Sequence, residues 1–298
     1  NGALLWLDVT LKKALMNGTE RKIAVARDIT ERKRAEKALH ETNRTLRMLL
    51  KCNEVLIRAA KESELLPDIC AILVAEGGYR CAWVGLAEND ITGSIRPAAQ
   101  AGFPPNCDAL ADITGNTGER GQGPTGTAVR TGSPCLVRDV RTDPRYAPWR
   151  EAARATGYLS SVSVPLVFSG RILGALTVGA SEPNAFDDEK INLMNQLAGD
   201  IAYGIMSLRT AAEQRRIEGE LIISERNLAE AQTIAMLGSW EYDMEKDVER
   251  RSDEFFRILG IPPVPGGRAD DSLFQYIHPD DKDFVMKNIV DTLENGKP

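Results

Sequence analysis

The sequence predicts an α+β fold, and three observations carry that prediction. Two β-type runs, Ser160 to Phe168 and Arg171 to Ala180, are joined by the pair Ser169-Gly170. A run, a short Gly-containing turn and a second run is the pattern of a β-hairpin. Beyond it, Asn184 to Asp188 opens a long helix whose apolar or small positions fall at Ile191, Met194, Ala198, Ile201, Ile205, Leu208 and Ala212. Those steps alternate three and four, the spacing of a heptad seam, which reads as a surface for a second copy of the chain. Third, short helical stretches ended by glycine stand between the β-runs. Thr125 to Arg130 stops at Gly132 and Ala147 to Ala155 stops at Gly157, each a residue without Cβ that can take the positive φ of a helix C-cap.

In chain order, residues 1 to 30 hold two β-runs, Leu4 to Ala14 and Lys22 to Asp28, around the turn pair Asn17-Gly18. A lone hairpin is at best marginally stable, so these strands are expected to belong to a sheet whose other members lie upstream. Thr30 is a candidate N-cap for a helix from Glu31 to Ala60, with Ala35, Leu39, Thr42, Leu46 and Leu49 on one stripe. A second helix, Glu64 to Glu76, ends at Gly77-Gly78. Strands follow at Cys81 to Ala87 and Ser94 to Gln100, then a Pro/Gly/Asn-rich loop from Gly102 to Gly123. A loop of that length is usually functional or disordered. A β-run from Pro134 to Val140 precedes the second short helix. From Gly238 a new pattern starts, with Trp240 and Tyr242 alternating in a strand and a His-Pro-Asp-Asp motif at His278 to Asp281.

Composition narrows the function classes. Hydrophobic residues make up 43% and charged ones 27%, ordinary for a soluble globular chain, and no apolar run approaches the roughly 18 residues of a membrane span. The net charge of −6 lacks the basic excess of a nucleic-acid binder. The basic clusters at Arg32 to Lys37 and Arg215-Arg216 are interleaved with Glu, as on solvated helix faces. Five cysteines (Cys52, Cys70, Cys81, Cys107, Cys135) show no CxxC spacing, which predicts reduced, mostly buried thiols in a cytoplasmic chain.

Several separate segments, in order, carry a family resemblance: GPTGTAVRTGSPCLVRD, APWREAA, SVPLVFSGRILGALTVGA and NAFDDEKINLMNQLAGDIAYGI. From about Leu46 to about Leu208 the chain resembles a GAF domain of the bacterial sensory type. The resemblance implies a central antiparallel sheet of about six strands, with the helices from the two ends of the domain on one face and short helices and loops over the other. The stretch IAVARDITERKRAEKAL resembles the end of a PAS domain running into a signalling helix, and residues 236–298 resemble the first part of a second PAS domain. The chain opens on Asn1 inside a β-run and stops at Pro298 before the later PAS strands, so it is expected to be an excerpt. The expected organisation is a PAS end at 1–30, a linker helix at 31–50, the GAF domain at 46–208, a coiled-coil linker at 209–235 and the partial PAS at 236–298.

Gly121-Gln-Gly123-Pro-Thr-Gly126 matches GxGxxG by letter, but a polar loop precedes it where a dinucleotide site needs a hydrophobic strand. Haem most often needs a His ligand, and His40 and His278 both lie outside the GAF-like core. Bilin attachment in related domains uses a Cys with a neighbouring His, which Cys107 and Cys135 lack. Haem and bilin are therefore disfavoured and the cofactor is left unknown. Asn184, Phe186, Asp188 and Glu189 faintly resemble the signature of cyclic-nucleotide-binding GAF domains, at altered spacing and without its Lys. Capping of the long helix by Asn184 or Asp187 is the simpler role. Some single-domain GAF proteins reduce free methionine sulfoxide with cysteines placed like Cys107 and Cys135, a minor enzymatic alternative; no kinase His box, cyclase signature or metal cluster is present.

Candidate pocket residues are Trp83, Gln100, Thr127, Asp139, Trp149, Tyr158, Ser161 and Ser163, which mix aromatic and polar groups on the expected concave side, beneath the loop from Phe103 to Gly126 and the helix bearing Trp149. The expected function is the sensory region of a cytoplasmic bacterial signalling protein. It would bind a small molecule or a cyclic nucleotide, dimerise through its long helices, and relay to an output domain outside this segment, a histidine kinase or a diguanylate cyclase with or without a phosphodiesterase. A ligand-free dimerisation scaffold is the alternative. Neither nucleic acid nor membrane is expected as a partner, and no catalysis is expected within this segment.

Overall fold

The structure of the protein is a computed structural model that describes residues 5–16, 19–88, 90, 93–104, 113–116, 118, 121–243, 245, 246, 248–263 and 275–295. The chain divides into two compact units, residues 1–211 and 212–298. The Asn17-Gly18 turn and Cys107 fall outside the described residues.

The first unit contains strands β1 (Leu7–Met16) and β2 (Thr19–Asp28), helices α1 (Thr30–Arg58) and α2 (Glu62–Ala75), and strands β3 (Cys81–Ala87) and β4 (Ile95–Ala101). After them come α3 (Pro124–Thr131), β5 (Cys135–Val137), a 3₁₀ turn (Pro144–Trp149), α4 (Arg150–Thr156), β6 (Ser160–Phe168) and β7 (Arg171–Ala180). Helix α5 runs Asp188–Ala235. The main sheet is antiparallel with order β4-β3-β7-β6-β5. It has five strands where about six were expected. Next to it, an isolated bridge joins Ser94 to Thr114 at the β4 side.

Period-two alternation sorts the side chains of the central strands. Ala82 and Val84 on β3, Leu176 and Val178 on β7, and Val162 and Val164 on β6 share one face and pack in a single core with α1, α2 and α5. The intervening residues, Trp83, Thr177 and Ser163 among them, point to the other face, under α3 and α4. Prolines keep to the tolerated places. Pro97 lies on the edge strand β4, and Pro165 lies on β6 beyond the 161–163 stretch that β5 pairs, where the strand has no further ladder partner on that side. The β6–β7 turn is built as the sequence implies, with Ser169 at φ 48° and Gly170 at φ 78°.

Local caps differ from expectation in one place. Ile29 occupies the N-cap position of α1, and Thr30 is its first helical residue, with its hydroxyl accepting from the Trp6 amide at 2.9 Å. Asp187 caps α5 through the Lys190 amide at 2.9 Å, while Asn184 takes a positive φ of 55° in the loop before it. Gly132 (φ 65°) and Gly157 (φ 83°) end their helices as expected.

The heptad on α5 needs correction as a dimer seam. Met194, Ala198, Ile201 and Ile205 are fully buried in their own chain against α1, α2 and the sheet, so they offer no surface to a second copy. Ile191 and Leu208 are half-buried against the same core, and Ala212 is exposed. Regular three-four spacing marks a buried helical face and does not say whose atoms bury it. A stacked Tyr79–Phe186 pair and the Arg209–Glu62 ion pair tie α5 to α2 and its flanking loop. Helix α1 turns Met48, Cys52 and Val55 inward and leaves Leu39, Leu46, Leu50 and Ile57 exposed, so the stripe read from Ala35 to Leu49 is displaced around the helix.

The second unit holds the hairpin β8 (Trp240–Asp243) and β9 (Val248–Arg251), helix α6 (Asp253–Leu259), a 3₁₀ turn (Pro279–Asp281) and α7 (Lys282–Asn295). His278 braces this turn, its Nδ1 accepting from the Asp280 amide at 3.4 Å. Among the described residues no helix is long and apolar enough to cross a membrane.

Ile201→Ala, which empties a fully buried position, should cost about 2–5 kcal/mol in urea unfolding, whereas Gln196→Ala on the exposed face of the same helix should stay within about 0.5 kcal/mol. The reverse order would place the core on the wrong face of this helix.

Candidate functional site

The sheet face opposite the long helices carries a second, smaller core made of aromatic and small side chains. Strand β3 contributes Cys81 and Trp83, β7 contributes Thr177 and Gly179, and β6 contributes Ser161. Tyr146 and Trp149 come from the 3₁₀ turn, Tyr158 from the loop before β6, and Gly123, Pro124 and Thr125 from the start of α3. Between them lies a cavity of about 30 Å³. That is room for about two waters.

Glycine is what lets the cover come this close. A Cβ on Gly123 would stand 2.4 Å from the Trp149 ring, and one on Gly179 would stand 2.7 Å from Cys81 Sγ and 3.0 Å from the Tyr158 ring. Side chains at either position would force the lid off the sheet. Arg150 holds the Trp149 segment by donating to the carbonyls of Asp143 (3.0 Å) and Val140 (3.4 Å).

Two hydroxyl groupings floor the cavity. Thr177 faces Ser163 across the β6–β7 ladder, and Thr125 reaches down from α3. Their oxygens form a closed ring at 2.8 Å (Ser163–Thr177), 2.9 Å (Thr125–Thr177) and 3.4 Å (Thr125–Ser163). The second grouping is Tyr146 and Tyr158, whose hydroxyls lie 2.8 Å apart with the rings edge to face. Ser161 Oγ is fully buried beside the Tyr146 phenol and has no hydrogen bond of ordinary geometry. Burial pushes the Tyr146 pKa up to about 12, a rise that the neighbouring Tyr158 and Ser161 hydroxyls partly offset.

Of the residues read from the sequence, Trp83, Trp149, Tyr158 and Ser161 line the cavity, and Ser163 does not line it but joins the hydroxyl ring through Thr177. Gln100 pairs with Trp83 in register and so shares its face, but on the edge strand, where it is exposed. Thr127 points away: its hydroxyl donates to the Gln122 carbonyl and meets Arg130. Asp139 is bound by Arg141 at 2.6 Å, which holds its carboxyl down at about 2, and ties a loop together. Thr125, Tyr146, Thr177 and Cys81 are lining residues that sequence reasoning missed. The GxGxxG-like stretch shapes the lid: Gly123 leads into α3, and Gly126 packs against the carbonyls of Thr114 and Gly121.

The thiols are quiet. Burial raises the pKa of Cys52 and Cys70 to about 12, and burial also raises that of Cys135, against the pull of Arg145. Among the described residues no group of His, Cys, Asp or Glu is placed to hold a metal ion.

Residues 59–206 match the family model described as GAF domain. This segment is a GAF domain. Similar solved structures include the GAF domain from a phosphoenolpyruvate-protein phosphotransferase of Coxiella burnetii, at 18% identity and TM-score 0.49, covering 57% of this chain and 96% of that one. Another is the free methionine-R-sulfoxide reductase from Neisseria meningitidis in complex with its substrate, at 21% identity and TM-score 0.48, covering 56% of this chain and 91% of that one. A third is a domain of a putative two-component sensor histidine kinase protein from Sinorhizobium meliloti, at 22% identity and TM-score 0.37, covering 49% and 90%. Nothing among curated proteins matches the chain. Within the GAF domain, the cavity lies on the sheet face away from the helices that lead into and out of it.

The Tyr146 phenol has a stability consequence at alkaline pH. Its folded pKa of about 12 lies above the ordinary 10.0, so its contribution is whole below about pH 10 and is lost as the pH rises from there through about 12. The full loss is on the order of 3 kcal/mol. Tyr146→Phe should flatten that segment of the stability-against-pH curve measured by urea unfolding.

Proposed function

We propose that this chain is the sensory and relay region of a signal-transduction protein, in which the GAF domain takes up a small molecule in the cavity under Trp149. The carrying observation is the cavity itself: a polar-floored, aromatic-walled space with a buried Ser161 hydroxyl that lacks a protein partner of ordinary geometry. Occupancy would favour one arrangement of the lid over another and shift their populations by no more than its differential affinity for the two. The bias would pass through the sheet to α1 and α5.

On this reading the protein works as a homodimer, paired through exposed apolar positions in place of the buried heptad. Leu39, Leu46, Leu50 and Ile57 lie at steps of seven, four and seven on α1, and Ile217, Leu221 and Leu228 lie at steps of four and seven on α5. Such spacing suits parallel helical pairing. The flanking segments are read as parts of PAS domains, the location as cytoplasmic, and the output as a histidine kinase or diguanylate cyclase beyond this segment.

A second reading has an observation of its own. A cavity of about 30 Å³ is almost filled by its own side chains, as a ligand-free dimerisation scaffold would have it. The thiol-enzyme reading is the weakest, since burial keeps the Cys135 thiol protonated and the thiolate is the nucleophile.

Native mass spectrometry of the chain purified gently from cell extract separates these readings. A dimer carrying an extra small mass is the expected result. A clean dimer would favour the scaffold, and a monomer would remove the helical relay. Reduction of free methionine sulfoxide should not exceed the level of a Cys135→Ser variant.

A further inference from the structure

The chemistry of the cavity restricts what it can hold. The inference rests on the ligand-site reading above and deepens it. Among the described residues, no charged side chain lines the cavity. The arginines around it are already engaged: Arg80 on the Thr156 carbonyl, Arg145 on Asp143 and the Leu136 carbonyl, Arg150 on the carbonyls of Val140 and Asp143, and Arg130 on three loop carbonyls. Among the described residues an anion would leave water with no cation in the cavity wall to receive it, and an unpaired buried charge is strongly disfavoured. Carboxylates and phosphates, cyclic nucleotides included, fit this space badly.

The hydroxyl ring adds a direction. Each of Thr125, Ser163 and Thr177 has one proton to donate and lone pairs to accept. At each contact either oxygen can donate; where the three protons run round the ring, the two members that line the cavity, Thr125 and Thr177, keep lone pairs for an occupant. In that arrangement this part of the floor calls for a donor. Ser161, which lies beside the Tyr146 phenol without a hydrogen bond of ordinary geometry, can complement a second polar atom on the occupant. The rest of the wall is Trp83, Trp149, Phe103 and the two tyrosine rings, surfaces that favour a π-faced occupant. The free space of about 30 Å³ admits no more than a single small ring system, and that with a shift of the Trp149 lid.

We infer that the GAF domain's ligand is a small uncharged aromatic or heteroaromatic molecule bearing an O–H or N–H donor, anchored on Thr177 and Thr125 with Ser161 as its second polar contact. Neutrality, one donor and a single ring system define the class.

Isothermal titration calorimetry of the full chain with phenol, indole and benzoate at neutral pH tests it. Phenol or indole should bind, and benzoate should bind at least about tenfold more weakly or not at all. Thr177→Val removes one acceptor and keeps the shape, and should weaken the neutral probe about fivefold, the worth of one hydrogen bond. Ser161→Ala, which breaks no hydrogen bond of ordinary geometry in the free protein, should weaken it by a similar factor without lowering the melting temperature. Benzoate binding as tightly as phenol would overturn the ligand class while leaving the ligand-site reading in place. Unchanged affinity in both variants would overturn the anchoring. Silence of phenol and indole would overturn the class, while the ligand-site reading is overturned separately, by a native mass with no bound small molecule.

Discussion

Most of the GAF domain depends on the register of three neighbouring strands, β3, β7 and β6. Trp83 stands opposite Thr177, and Thr177 opposite Ser163, so one row across the sheet is aromatic, hydroxyl, hydroxyl. The row one residue on, Val84, Leu176 and Val164, is wholly aliphatic and faces the helices. A slip of one residue would bury the hydroxyls under α2 and α5 and lift the valines toward the lid. Both the helix-side core and the cavity exist because that register is held.

The register also explains what the sequence showed and what it hid. The β6 and β7 boundaries could be read to the residue because Ser169-Gly170 punctuates two strongly β-type runs. Counted out from that turn without irregularity, Ser163 would face Leu176. The ladder shifts by one at Leu166/Val167 and brings Thr177 opposite instead. A bulge has no reliable one-letter signature, so Thr177, and with it the hydroxyl ring, was invisible in the sequence. Thr125 was missed for a related reason: its partners lie 38 and 52 residues away, and only the tertiary fold brings α3 over the sheet. Trp83 and Trp149 were legible as large aromatic groups among polar ones on the expected concave side of the sheet. Gln100 was placed on the right face by alternation, and strand order, which alternation does not supply, put it at the edge.

The helices show the same limit from the other side. Three-four spacing located the buried stripe of α5, and Met194, Ala198, Ile201 and Ile205 are indeed buried, but by their own chain. Apolar periodicity reports that a face is dry. It cannot say whether the covering atoms belong to the same molecule. The α1 residues Leu39, Leu46, Leu50 and Ile57 could be told from core positions only once Met48, Cys52 and Val55 were seen to point inward.

On the proposed reading, coupling between cavity and helices needs no long path. Trp83 is covalently flanked by Ala82 and Val84, Ser163 by Val162 and Val164, and Thr177 by Leu176 and Val178, each flank lying in the helix-side core. A change of one strand's position at the cavity is therefore a change of position under α5 as well, because close-packed interiors transmit small shifts. The near-closure of the free cavity then sets the sensitivity. If only a fraction of molecules has the lid open, the apparent affinity falls by that fraction, and the free energy of opening is what ligand binding must supply before any of it reaches the helices. A narrow cavity under Trp149 thus makes a stringent sensor: occupants that cannot satisfy the hydroxyl floor do not recover the cost of moving the lid, and the helix arrangement stays at its unliganded balance.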